Sequence, residues 1–412
     1  MCKFCDECTK GFKFPICCAS EVGFVLWDKE NIVFIVQSSE LKPPSEGPFR
    51  PNAMTQTIFA GGFASYFIDH NKCVWELAAA KVEPYLISVL PPITALAVGE
   101  HNLFLDHEGI VLGTGYTRYG ALGSKLLTRV TTPIIIPRLP ILIIAVAAGP
   151  CFSLFLDGEG IVWGCGNNKF GVLGNPSKLS FEVTQPQRLE GLPSIQNISA
   201  GSEHALYLDI NHSVWSSGYN LYGQLGIAAT VVNEPVNIAT LPDIQKISAG
   251  GNFSIFLDYE GNVWVCGENG DGQLGLGNYL QRREPAQIAD IPPMKSISAG
   301  FRHALFIDPS KTVWCCGCND QAQLGVDKSH PTLKPLKIVS LQNIVSVSAG
   351  AEHSLFLDVD EVVWGCGRVG GTVSDSKFVY LPHKLSSLPP IPAHVHPKST
   401  KSARKLCENK II

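Results

Sequence analysis

Residues 241–290, LPDIQKISAGGNFSIFLDYEGNVWVCGENGDGQLGLGNYLQRREPAQIAD, hold one copy of a unit that the chain repeats. Ile247-Ser248-Ala249-Gly250 is a short run ending in glycine, and Phe253 to Leu257 is a second, apolar run. Asp258-Tyr259-Glu260-Gly261 has the chemistry of a turn, because an Asp side chain bonds its own downstream amides and Gly accepts positive φ. Val263-Trp264-Val265-Cys266 then returns as the partner strand of a hairpin. The unit predicts three or four strands and no helix, since no apolar period of about 3.6 residues runs through it.

The same beat sounds seven times, as an Asp followed six residues later by a large side chain: Asp69/Trp75, Asp106/Leu112, Asp157/Trp163, Asp209/Trp215, Asp258/Trp264, Asp308/Trp314 and Asp358/Trp364. The Asp-to-Asp intervals are 37, 51, 52, 49, 50 and 50 residues, so one supersecondary unit is reused, with a trimmed first copy. Two residues before each Asp stands an aromatic ring, from Phe67 to Phe356, flanked on both sides by mostly aliphatic residues. Neighbouring strand residues point to opposite faces, so this strand is apolar on both and must lie between two other sheets. After the Trp strand comes a glycine-rich segment such as Tyr219 to Gly226 or Glu268 to Gly275, then a proline (Pro133, Pro186, Pro235, Pro285, Pro335). All-β units of this length with polar turns predict radial repetition, a β-propeller.

At 412 residues, with 45% hydrophobic residues, 17% charged and 39 glycines, the chain is a globular protein rich in turns. A net charge of -4 gives no global attraction to nucleic acid or to an anionic membrane. The most apolar stretch, Ile134 to Ala148, is interrupted by Pro137, Arg138 and Pro140 and is expected to be buried strand, not membrane span. No secretory leader is expected at the N-terminus, which places the chain in the cytoplasm or nucleus. Cys165, Cys266, Cys316 and Cys366 stand where other copies carry Thr114 or Ser217, so they are expected to be small, buried and reduced.

The strings Ile-Ser-Ala-Gly-x-x-His, Leu-Phe-Leu-Asp, Val-Trp-x-x-Gly and Gly-Gln-Leu-Gly, iterated from about Ile58 to Ile391, resemble the repeat of the regulator of chromosome condensation family. The resemblance implies a seven-bladed propeller in which strands from the two chain ends complete a shared blade. Ser20 to Asp28 with Ile32-Val33-Phe34 looks like a worn hairpin, expected to help close the ring; an eighth blade is the alternative. The domain expectation is a flexible Cys-rich segment at 1–18, the propeller at 19–391, and a flexible basic tail at 392–412.

Several constellations invite chemistry. His101, His204, His303 and His353 stand five residues before the motif Asp with Ser or Ala nearby, but recurrence in several blades argues against a unique Ser-His-Asp triad. They are expected to be structural, bonding backbone near the hub. Gly267 to Gly277 is glycine-rich without a following helix to cradle phosphate, and is expected to be a turn. Cys2, Cys5, Cys8, Cys17 and Cys18 lack the second regular pair and histidine of a zinc site. No catalytic residue, metal or cofactor is expected.

The family includes protein-docking propellers, guanine nucleotide exchange factors for small GTPases, and substrate-recognition parts of ubiquitin machinery. Exchange activity in the founding type is associated with an inserted β-wedge, for which the even intervals leave no residues; a ligase reading would make this chain an adaptor. The expectation is therefore a non-catalytic, monomeric scaffold for protein partners, a small GTPase among the candidates. Its loops should carry the contacts. The most charged departure from the repeat, 278–284, offers Tyr279, Arg282 and Arg283, and Arg302 joins them as interface residue types.

Overall fold

The computed structural model describes residues 55–385 apart from short stretches at 63, 79–82, 125–128, 141, 175–180, 230, 328–329 and 369–380, together with strand residues 26–27 and 32–33. The Cys-rich segment at 1–18 and the tail at 392–412 lie outside the described residues. Seven four-stranded antiparallel sheets follow one another as blades 1 to 7, at 55–86, 93–135, 143–188, 195–237, 244–287, 296–337 and 344–384. The first strands of consecutive blades touch in order around a hub, and that of blade 7 touches that of blade 1, so the ring is closed. Among the described residues no helix is long and apolar enough to cross a membrane. The apolar run 134–148 is divided between the last strand of blade 2, Arg129–Ile135, and the first of blade 3, Ile143–Ala148.

The Asp-to-Trp beat is a lock within each hairpin. In blade 5, Phe253–Asp258 pairs with Val263–Gly267 in a register that sets Phe256 opposite Trp264. Asp258 Oδ1 accepts the amides of Glu260 and Asn262 at 3.0 and 2.8 Å, which fixes the turn, and Oδ2 accepts the indole N–H of Trp264 at 3.0 Å. All six Asp-Trp copies make the indole bond, at 2.8–3.0 Å. Where blade 2 has Leu112, Oδ2 of Asp106 is buried without a partner. The second strands of blades 3, 4, 5 and 7 are buried at every position, as their two-sided apolar pattern requires.

The glycine-rich segment is a self-bonded turn that docks onto the next blade. Asn269 Oδ1 accepts the amide of Leu274 at 3.0 Å, and Asn168, Asn220 and Asn319 repeat that bond five residues on. The turn's last glycine takes positive φ against a proline in or just before the outer strand of the following blade: a Cβ on Gly275 would sit 3.2 Å from Pro335, and one on Gly325 would sit 2.8 Å from Pro382. Proline suits that strand because it is an edge, where no ladder partner needs its N–H.

Blades meet along polar and apolar seams. His101, His204, His303 and His353 bond through Nε2 to Ser153, Ser254, Ser354 and Ser65 of the next blade, at 2.6, 3.0, 2.9 and 3.0 Å. The expected bond to backbone is instead a bond to a neighbouring hydroxyl. Where a blade carries Phe152 or Phe253 in place of His, the next carries Ala205 or Ala304 in place of Ser, and each Phe shares an apolar cluster with its Ala. Nearer the hub, the amides of Ala249, Ala299, Ala349 and Ala60 donate to Ser199, Ser248, Ser298 and Ser348 of the preceding blade at 2.8–3.0 Å.

Ring closure differs from a shared blade. Blade 7 takes its fourth strand, His383–Lys384, from its own later residues, and blade 1 has four consecutive strands of its own. Among the described residues, Leu26–Trp27 and Ile32–Val33 pair with each other as a separate two-stranded sheet. Blades 7 and 1 are joined by the same bonds as internal neighbours, Ser348 to Ala60 and His353 to Ser65, with Ala351 N donating to Gly61 O at 3.1 Å. A seam already able to join blades 4 and 5 joins the ends, so no strand has to be borrowed.

Candidate functional site

Antiparallel order places two loop sets on one face of the ring: the Gly-x-x loop between first and second strands and the glycine-rich loop between third and fourth. Backbone bonds tie the two sets together, as in Glu268 N to Asn252 O and Cys318 N to Arg302 O, both 2.9 Å. We call this the Gly-loop face; the Asp turns lie on the other. Tyr279, Arg282, Arg283 and Arg302, the residues singled out by sequence, all fall at the Gly-loop face, in the loops of blades 5 and 6 and at the start of blade 5's outer strand, Arg282–Gln287.

Their surroundings divide them. Tyr279 is 56% exposed beside exposed Leu280, on a loop held by Asn269 Nδ2, which donates to the carbonyls of Asn278 and Leu280 at 2.8 and 3.1 Å. Arg282 is exposed, and its side chain has no partner among the described residues. Arg283 instead donates to Leu221 O at 3.0 Å and Asn220 O at 3.4 Å, pinning the glycine-rich loop of blade 4. Arg302 bridges two loops, with Asp271 at 3.1 Å and Asp320 at 3.7 Å. Asp271, Cys318 and Asp320 present ligand atoms within 4.8 Å of one another, but the Arg302 guanidinium already supplies the positive charge between the two carboxylates.

The buried cysteines behave as the repeat predicts. Cys165, Cys266, Cys316 and Cys366 are free and fully buried, each pointing its Sγ at a carbonyl of the preceding blade's loop at 3.3–3.6 Å. Burial pushes the thiols of Cys165 up to about 12 and holds the others well above their ordinary value, so they remain protonated and inert.

A family model for the RCC1-like domain matches residues 77–390. The chain belongs to the RCC1-like domain family. Among curated relatives it is 35% identical over 136 residues to the guanine nucleotide exchange factor SRM1 of Saccharomyces cerevisiae, covering 31% of this chain and 28% of SRM1. It is 29% identical over 212 residues to the human E3 ubiquitin-protein ligase HERC2, covering 50% of this chain and 4% of HERC2. These matches span well under two thirds of either relative. Among solved structures it superimposes on Prp20p from Saccharomyces cerevisiae, a protein characterised for binding to Gsp1p and histones, with a TM-score of 0.66 at 23% identity over 74% of this chain and 83% of that one.

Within this RCC1-like propeller, sequence reading passed over a second feature of the Gly-loop face. The loops of blades 2, 3 and 4 carry an aromatic residue just before the first turn glycine, Tyr119, Phe170 and Tyr222, where blades 5 and 6 carry Asp271 and Gln321. Phe170 lies 4.7 Å from Tyr219 between ring centroids, and Tyr219 lies 6.2 Å from Tyr222. Aligning the copies by loop position would have found them; as glycine-rich punctuation they were invisible.

Proposed function

We propose that this RCC1-like propeller is a non-catalytic scaffold that docks partner proteins on its Gly-loop face. The observation that carries the reading is the presentation there of Tyr279 and Leu280, left in solvent on a loop whose backbone is fixed by Asn269, with exposed Arg282 at the start of the strand that follows. A rigid disc with ordered loops pre-organises such contacts and lowers the entropy cost of association. The recurring His-Ser pairs lie in buried seams between blades, where they bond to one another and to backbone, which supports a structural role for them.

The similarity to SRM1 favours a second reading, exchange activity on a small GTPase; the similarity to HERC2 suggests the third, recognition of substrates for ubiquitin machinery as an adaptor. An affinity pull-down from the native cell, with Tyr279→Ala/Arg282→Ala as control, separates them from the first. The scaffold reading expects protein partners that the control loses and no acceleration of nucleotide release from any recovered GTPase. Accelerated release would replace it with the exchange reading, and a pull-down that returns no protein would overturn docking altogether.

A further inference from the structure

We propose that the aromatic and cationic rim of the Gly-loop face on blades 2 to 4 docks an acidic segment of a partner protein. The proposal rests on the docking reading above and adds to it a second contact on the same face, separate from that of blades 5 and 6. Arg118 and Arg129 both lie over the ring of Tyr116, at 5.6 and 5.5 Å from its centroid, and Lys169 lies 5.0 Å from that of Phe170. None of the three cations has a carboxylate within ion-pair distance among the described residues, whereas on blades 5 to 7 Arg302 and Arg368 are paired with Asp271, Asp320 and Glu352. Arg282 and Arg283 of blade 5 also lack a carboxylate partner among the described residues, so the face carries unpaired cations in two places, and this rim holds three of them.

The rings do two things. They hold the cations in place, since a guanidinium or ammonium is attracted to the face of an aromatic ring. They also offer apolar contact, with Tyr116 43% and Tyr119 41% exposed. A guanidinium lying on a ring keeps its N–H edge free for a carboxylate, in the planar geometry that favours two parallel bonds. Glu100 and Glu203 stand on the adjoining inner loops, and Glu203 is close enough to Lys169 for its carboxyl to feel that charge. A peptide fits this mixed rim better than a nucleic acid because it can place uncharged residues opposite the two glutamates, whereas a phosphate backbone carries a charge at every unit.

Fluorescence anisotropy of the full chain with a labelled peptide alternating Glu and Leu tests the site, with the peptide's Gln-for-Glu counterpart and a uridine oligonucleotide as comparisons. The Glu peptide should bind about tenfold or more tightly than the Gln peptide, and Arg118→Glu/Arg129→Glu/Lys169→Glu should abolish the difference, while Arg282→Glu changes it by less than about twofold. Should the triple variant fail to melt cooperatively, Lys169→Glu alone and a salt titration of the wild type read the same contact: both must weaken the Glu peptide selectively. Equal affinity for the two peptides, retention of the Glu peptide by the charge-reversed protein, or tighter binding of the oligonucleotide would each overturn the proposal. Partners recovered from cells that survive the charge reversal would sink this site and leave the docking reading intact.

Discussion

A single side chain shows what the repeated aspartate does. Asp157 and Asp106 both hold their turns through Oδ1, which accepts the amides two and four residues on at 2.8–3.0 Å. They differ at Oδ2, bonded to the Trp163 indole at 2.8 Å in one copy and buried without a partner in the other. Asp157→Asn can preserve the turn only by pointing its amide N–H at the indole N–H, so it loses a charge-assisted bond and should cost about 2–3 kcal/mol. Asp106→Asn removes no bond and should change stability by less than about 0.5 kcal/mol. Urea unfolding of the two variants checks the contrast, and equal losses would show that the indole bond is not what the aspartate is for. The Asp-Trp spacing was plain in the sequence, and its turn half was read correctly; the indole bond was not, because strand periodicity says nothing about where a ring nitrogen points.

At the scale of the element, the glycine-rich loop is shaped by what it rests on. Gly275 has φ of 67°, and a Cβ there would meet Cys316 Sγ at 3.1 Å and Pro335 at 3.2 Å; Gly270, five residues earlier in the same loop, has nothing within 4 Å of the equivalent position. Gly275→Ala therefore combines a left-handed backbone with crowding against the next blade and should cost about 2 kcal/mol or more. Gly270→Ala should fall within about 0.5 kcal/mol of the parent. Thermal melts decide it, and a destabilised Gly270→Ala with an unaffected Gly275→Ala would show that docking on the proline does not set the glycine. Sequence alone identified the loop as a turn and rejected a phosphate cradle. It missed the pairing of turn glycine with the next blade's proline, and of each seam His with the next blade's Ser, because both run between copies about fifty residues apart. The signal was present: Phe152 goes with Ala205 and Phe253 with Ala304, while each His goes with a Ser.

The whole ring inherits a pH dependence from those seams. Ser153, Ser254 and Ser354 commit their hydroxyl protons to carbonyls of Ala121, Gln224 and Gln323 at 2.6–2.7 Å. Their histidine partners must therefore donate from Nε2 and be neutral, and Nδ1 of His101, His204 and His303 is buried with no acceptor for a second proton. Burial accordingly holds His101 and His353 down at about 4 and His204 and His303 at about 3. In the unfolded chain the same groups take a proton near pH 6.5, so between these values the unfolded state binds more protons than the folded state. Stability is then fully present above about pH 6.5 and falls as the pH drops toward the folded values, by up to about 1.4 kcal/mol per pH unit for each histidine. The four seams include the one between blades 7 and 1, whose opening would break the ring, so acid should loosen closure together with the internal joints. The double change His204→Phe/Ser254→Ala copies the apolar seam that blades 3 and 4 already use. It should fold and leave the melting temperature at neutral pH within a few degrees. It should also flatten the fall in melting temperature between about pH 7 and pH 5 by roughly one histidine's share. A pH profile parallel to the parent's would mean that the seam histidines do not set acid stability, and a parent that grows more stable on acidification would reverse the sign argued here.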